Sequence, residues 1–160
     1  IMGQYFKVVN TTKGQTLNPY SFGSGAKLME FTSDGMSIMQ GLGILLADGN
    51  NRGGGDLRSD NPIIGSWAGD NIVITGDYAD EGKFVPKKNS KDNLYTYCDE
   101  NFVDISNEVI RALCDDSWWR DNFFKQWKDS NFSDWNEERQ QLKVEMFGEE
   151  GCNYKNGAYA

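Results

Sequence analysis

The stretch that most constrains the fold runs from Gly41 to Asp80. It contains the β-branched run Ile72-Val73-Ile74-Thr75, a long glycine loop from Asp48 to Asp56, and the aspartates Asp48, Asp56, Asp60, Asp70, Asp77 and Asp80. β-Branched side chains suit a pleated, half-buried surface, so Asn71–Tyr78 is predicted as a strand. Pro62–Ala68 lies on the other side of Gly69-Asp70, and the pair reads as a hairpin. Upstream, Met36, Met39, Leu42 or Gly43, and Leu46 recur at helical spacing, predicting a helix across Gly35–Ala47 with Ser33 or Asp34 as N-cap. Gly41 and Gly43 each cost such a helix about 1 kcal/mol relative to alanine, which implies close helix–sheet packing there.

A first hairpin is expected before this stretch. Gln4–Asn10 reads as a strand, Thr11-Thr12-Lys13-Gly14 as a turn, and Gln15–Leu17 as a short return strand ended by Asn18-Pro19. Ser21–Lys27 is a Gly/Ser loop ending in lysine, but it lacks the glycine spacing and the Ser or Thr of a phosphate loop, so it reads as a tight turn. After residue 94 the chain turns helical. Leu94–Tyr97 starts a strand or a helix, and Ser106 caps a helix with Val109, Ile110 and Leu113 inward. Trp119, Phe123 and Trp127 stand at i, i+4 and i+8, and a last helix runs from Ser133 or Asp134 to Phe147 with Trp135, Leu142 and Met146 on one side. The fold class is therefore α+β: an antiparallel sheet from hairpins, one packed helix, then aromatic-rich helices. The expected division is 1–93, the helical part 94–147 of the same domain, and a flexible tail 148–160.

Composition closes several functions. The chain of 160 residues is 38% hydrophobic and 13% aromatic, enough for a packed core. It has no histidine. Ser-His-Asp and Cys-His catalysis, histidine acid–base chemistry and nearly all catalytic zinc sites are thereby removed. The net charge of −8 is spread, with 5 basic and 8 acidic residues in 1–80 and 11 and 16 in 81–160. Phosphate backbones and anionic lipid repel such a chain, so direct nucleic-acid or membrane binding is disfavoured. Cys98, Cys114 and Cys152 form neither a disulfide framework nor a zinc pattern, and no cofactor is expected. With no long apolar run and no signal-peptide pattern, a cytoplasmic location is expected.

Three constellations remain as candidate sites. The loop Asp48-Gly49-Asn50-Asn51-Arg52-Gly53 begins like a calcium loop, but Arg52 stands where a ligand should be and Ser59 where a bidentate glutamate should be. Arg52, Gly53, Gly54, Gly55 and Arg58 read instead as an anion nest or a plain surface loop. Asp48, Asp56, Asp77 and Asp80 are candidates for a divalent metal in a carboxylate-based or magnesium-dependent hydrolase. The third is acidic and aromatic: Asp104, Glu108, Asp115 and Asp116 run into Trp118, Trp119 and Trp127. Aromatic stripes at this spacing are core in one reading and a binding anchor in the other.

Met2-Gly3-Gln4-Tyr5-Phe6, Phe22-Gly23-x-Gly25-x-Lys27-Leu28 and Gly76-Asp77-Tyr78-Ala79-Asp80 together resemble a group of small, uncharacterised bacterial and phage-borne proteins. The likeness covers about the first 85 residues and implies a small protein that mobile elements can carry, without an activity. Members of that group often carry His beside the proline in the segment that here reads Asn18-Pro19-Tyr20, and its absence here argues against a catalytic or metal role for the segment. The expectation is a non-enzymatic acidic protein that binds a protein partner with a basic surface, as an inhibitor of a host defence or nucleic-acid-handling protein would. The alternatives are a small anionic-ligand (nucleotide-like) binder using the glycine loop, and the hydrolase.

Overall fold

The computed structural model describes residues 3–32, 37–128, 137–152, 154–155 and 158–159, with the backbone alone for 127–128, 137–140 and those after 148. The predicted caps Ser33 and Asp34, together with Met36, Ser133, Asp134 and Trp135, lie outside them. The fold is α+β. Strands β1 (Phe6–Asn10), β2 (Gln15–Leu17), β3 (Ile72–Gly76) and β4 (Val103–Asp104) form one sheet in the order β3-β1-β2-β4. β1 and β2 make the expected hairpin, and β3 runs antiparallel to β1 from Phe6↔Gly76 to Asn10↔Ile72. β4 corrects the antiparallel expectation, because it pairs parallel to β2. It arrives after the helix α2 (Leu94–Asn101), with the Val103 amide donating to Gly14 O and the Ile105 amide to Thr16 O, both at 3.0 Å.

The second predicted hairpin does not form. Residues 61–70 are a series of turns in which the amides of Ile64, Ser66, Ala68 and Asp70 bond carbonyls three residues back. Asn61 starts them by accepting the Ile63 amide, which matches its place before Pro62. These turns end the helix α1 (Ile38–Leu46). The Gly65 amide donates to Ile44 O (2.8 Å) and the Trp67 amide to Leu45 O (2.9 Å), satisfying carbonyls that a helix end leaves orphaned. Gly65 has φ +78°, and a Cβ there would lie 2.6 Å from Ala47 O, so glycine is required.

α1 starts one residue after Ser37, whose amide donates to Gln40 Oε1 (2.8 Å) in a capping box. Its glycines differ. A Cβ on Gly41 would lie 2.7 Å from Phe22 Cε1 and 3.1 Å from Val109 Cγ1, whereas one on Gly43 would meet nothing within 4 Å. The close packing inferred for Gly41 is therefore real, but its partners are the 3-10 turn Pro19–Phe22 and helix α3 (Ser106–Leu113) rather than the sheet. Gly41→Ala is expected to lose about 1–3 kcal/mol through overpacking, while Gly43→Ala gains up to about 1 kcal/mol from reduced unfolded-state freedom. Urea denaturation of the pair checks this, and shifts of one sign for both would refute it.

The remaining elements are α4 (Ser117–Lys128), α5 (Glu137–Cys152, interrupted at Gly148) and the short paired strands β5 (Tyr154–Lys155) and β6 (Ala158–Tyr159) in the region expected as a tail. One core cluster draws on both halves of the chain, from Val8, Leu17, Phe22 and Trp67 to Ile110, Phe123 and Leu142. A second, smaller cluster of Val9, Leu94 and Cys98 seats α2 on the other face of the sheet. Among the described residues, no helix is long and apolar enough to cross a membrane.

Candidate functional site

The acidic and aromatic constellation divides where α3 meets α4. Asp116 is buried and serves as N-cap of α4: Oδ1 accepts the Trp118 amide and Oδ2 accepts the Arg58 amide, both at 3.0 Å. Amide donors, first that of Arg58, hold its carboxyl below the usual carboxylate range against the opposing effect of burial. Asp115 Oδ2 accepts the Ser59 hydroxyl (2.6 Å). Asp104 accepts both the amide (2.9 Å) and the hydroxyl (2.5 Å) of Ser106 at the start of α3. Three of the four acids thus satisfy helix starts and a loop, because those sites present orphan donors that carboxylates accept best. Glu108 alone of the four is exposed with no hydrogen bond to the described residues.

The aromatic residues separate in the same way. Phe123 is fully buried and Trp119 is half-buried against the core, so this part of the stripe is interior. The side chain of Trp127 lies outside the described residues. Trp118, one position round the helix from the stripe, is 61% exposed. Its ring stands edge-on to Trp119 at 4.6 Å between centroids, an arrangement that aromatic pairs favour. An apolar ring is thus held out in solvent on a fixed backbone.

The glycine loop is stapled rather than open. Asn50 Nδ2 donates to Leu57 O (2.8 Å) and Ser59 O (3.2 Å), and Asn50 Oδ1 accepts the Leu57 amide (2.9 Å). Leu57 is buried in the core cluster, and Arg58 and Ser59 bond Asp116 and Asp115, so the loop is fastened at its base. Gly53 and Gly55 take positive φ, as a nest would use. The Arg52 amide, however, donates to the loop's own Asp56 Oδ2 (2.9 Å). Gly54 is exposed like its neighbours, and the side chains of Arg52 and Arg58 are exposed at the rim.

The four aspartates named for a metal are apart in role. Asp48 is exposed beyond α1, Asp56 holds Arg52, Asp80 is exposed in a turn, and Asp77 Oδ1 accepts the Tyr5 amide (3.1 Å). Among the described residues, no three His, Cys, Asp or Glu side chains gather as a metal would need. Burial pushes the Cys114 thiol up to about 12 and raises that of Cys98, so both stay protonated at neutral pH.

The sequence reading missed a meeting of distant segments. The Asp77 amide donates back to Tyr5 O (3.0 Å), the Phe6 amide to Ala26 O (2.7 Å), and Gln4 and Phe6 close over Gly76. Glu30 Oε1 accepts the Lys27 amide (3.1 Å) and lies against Gly25. The three stretches that carry the resemblance therefore meet at one end of the sheet, beside exposed Tyr5, Tyr20 and Tyr78. Lys7 pairs with Asp99 and lies 4.5 Å above the Tyr95 ring, with burial lowering its pKa. The three motifs quoted from the sequence were the only sequence signal for this end. Comparison with protein-family models, curated proteins and solved structures found no match to this chain.

Proposed function

We propose that this protein is a non-enzymatic binding protein that occupies a basic surface on a macromolecular partner, with Trp118 as its anchor. The observation that carries this reading is Trp118 itself: 61% exposed, braced by Trp119, and fixed through its amide to Asp116. A rigid tryptophan loses little entropy on docking, and tryptophan is enriched at binding hot spots. The net charge of −8 supplies steering towards a basic partner. Inhibition of a host defence or nucleic-acid-handling protein from a mobile element, in the cytoplasm, is the setting that fits these properties. Anionic-ligand binding in the glycine loop has less support, since Asp56 already takes the Arg52 amide.

Immobilised wild-type and Trp118→Ala proteins should differ when bacterial lysate is passed over them at low and high salt. A basic protein should be held by the wild type at low salt and released as salt rises. The variant should lose about 2 kcal/mol of affinity or more, with folding stability changed by less than about 0.5 kcal/mol because the ring is exposed. Equal retention by both proteins would sink the anchor.

A further inference from the structure

We infer that the outer edge of β3 receives an extended segment of the basic partner as an added strand. This deepens the binding reading and rests on it.

The register defines which groups are available. The Thr11 amide bonds Asn71 O and the Asp77 amide bonds Tyr5 O, so 71↔11 and 77↔5 are hydrogen-bonded pairs at the two ends of the β1–β3 ladder. Such pairs alternate along an antiparallel ladder. Val73 and Thr75 therefore turn their backbone groups to β1, while Ile72, Ile74 and Gly76 turn theirs outward. Gly76 O accepts the Ala79 amide in the following turn. Among the described residues, nothing bonds the outward N–H and C=O of Ile72 and Ile74.

The two edges of the sheet differ. β4 at the far edge is two residues long and carries Asp104. Natural edges are blunted in these ways, by shortness, charge, proline or bulges. β3 has five residues, no charge, no proline and an unbroken register. Ile74, opposite Val8 on the main core face, is 38% exposed and would be covered by a neighbouring strand.

Charge selects the occupant. Asp77, which accepts the neutral Tyr5 amide, and Asp80 lie just past the C-terminal end of β3, whereas Asp70 before it is already paired with the cationic Lys13. A second copy paired about Ile74 would bring Asn71 of one chain opposite Asp77 of the other, joining two chains of charge −8. An extended segment with β-branched residues at its centre and lysine or arginine at its ends meets no such repulsion. Strand addition of this kind takes affinity from backbone bonds and specificity from alternate side chains and flanking charge.

The test uses the full chain and a short peptide of alternating Val and Thr with Lys at both ends. Amide exchange by NMR should show Ile72 and Ile74 exchanging faster than Val73 and Thr75 in the free protein, and the peptide should protect those two amides selectively. Ile74→Pro removes only an outward N–H, so the ladder to β1 is kept, and affinity should fall about tenfold or more through the lost backbone bond. Ile74→Lys keeps the backbone and should weaken the same peptide through like charge, which preserves the test if the proline variant does not fold. No binding of the peptide, or protection of Ile72 and Ile74 already in the dilute free protein, overturns the added strand. Protection that grows with protein concentration, together with dimers in sedimentation, assigns the edge to a second copy and overturns the chosen occupant. Equal binding of a peptide with Glu at its ends overturns the basic-partner reading while leaving the edge as a strand acceptor.

Discussion

Trp67→Ala is expected to cost about 3–5 kcal/mol, in the range found for removing a large buried aromatic side chain. Trp67 is fully buried in the main core. Its indole N–H donates to Gln15 Oε1 on β2 (2.7 Å), and its backbone amide closes the last turn of α1. One residue thus links the turn region, the sheet and the helix, and its side chain supplies the bond to the sheet and the core packing. Trp67→Phe keeps most of the apolar volume and loses the indole bond, so it should cost about 1 kcal/mol from that bond plus a smaller cavity term. Urea titration should show both variants with a lower midpoint and an unchanged slope. A loss under about 1 kcal/mol for the alanine variant would mean that the core closes over the site, against the packing seen here.

Local chemistry in the sequence was enough for β1, β2 and α3. Phe6–Asn10 is β-branched and aromatic, Thr11–Gly14 supplies a turn, and Val109, Ile110 and Leu113 stand at helical spacing. Ser106, however, is the first helical residue, and Ile105, not Ser106, takes the cap position. The same logic failed at Pro62–Ala68, where Ile63, Ile64 and Trp67 look like strand residues. There the turn signals Asn61-Pro62 and Gly65 prevailed, because α1 needs donors at its C-terminus and the turns supply them. β4 was invisible for another reason. Two residues carry no periodicity, and their pairing with β2 depends on where α2 leaves the chain. The site was half legible. Acids and tryptophans were found, but not their orientation: Asp115 and Asp116 turn to the loop donors Ser59 and Arg58, which lie 56 and 58 residues away in sequence. The apolar stripe points Trp119 and Phe123 inward, which by helical geometry leaves the adjacent Trp118 outside. Which edge of β3 is left unpaired among the described residues follows only from register, which is a tertiary fact.

Asp116→Asn should destabilise the protein at neutral pH by about 1–3 kcal/mol, and the cost should shrink in acid. The carboxylate uses one oxygen for the Arg58 amide and the other for the Trp118 amide. An amide side chain keeps a single acceptor oxygen, and its NH2 would face one of those donors, so one backbone N–H is left unsatisfied where Asp116 is buried. The linkage sign follows from the depressed pKa, whose first cause is the Arg58 amide. A carboxyl whose pKa is lower folded than unfolded contributes fully above its unfolded value, and that contribution is lost as pH falls through the folded value. The stability difference between wild type and Asp116→Asn should therefore be flat from neutral pH down to the ordinary carboxylate range and narrow below it. The loop offers an independent readout, because the Arg58 bond fastens the loop segment that Asn50 staples. Amides at 57–59 should exchange faster in the variant at neutral pH, and Trp118 fluorescence should change as its helix start loosens. A difference in stability independent of pH, with loop exchange unaltered, would show that the Asp116 carboxylate is not the tie between the glycine loop and the helix that presents Trp118.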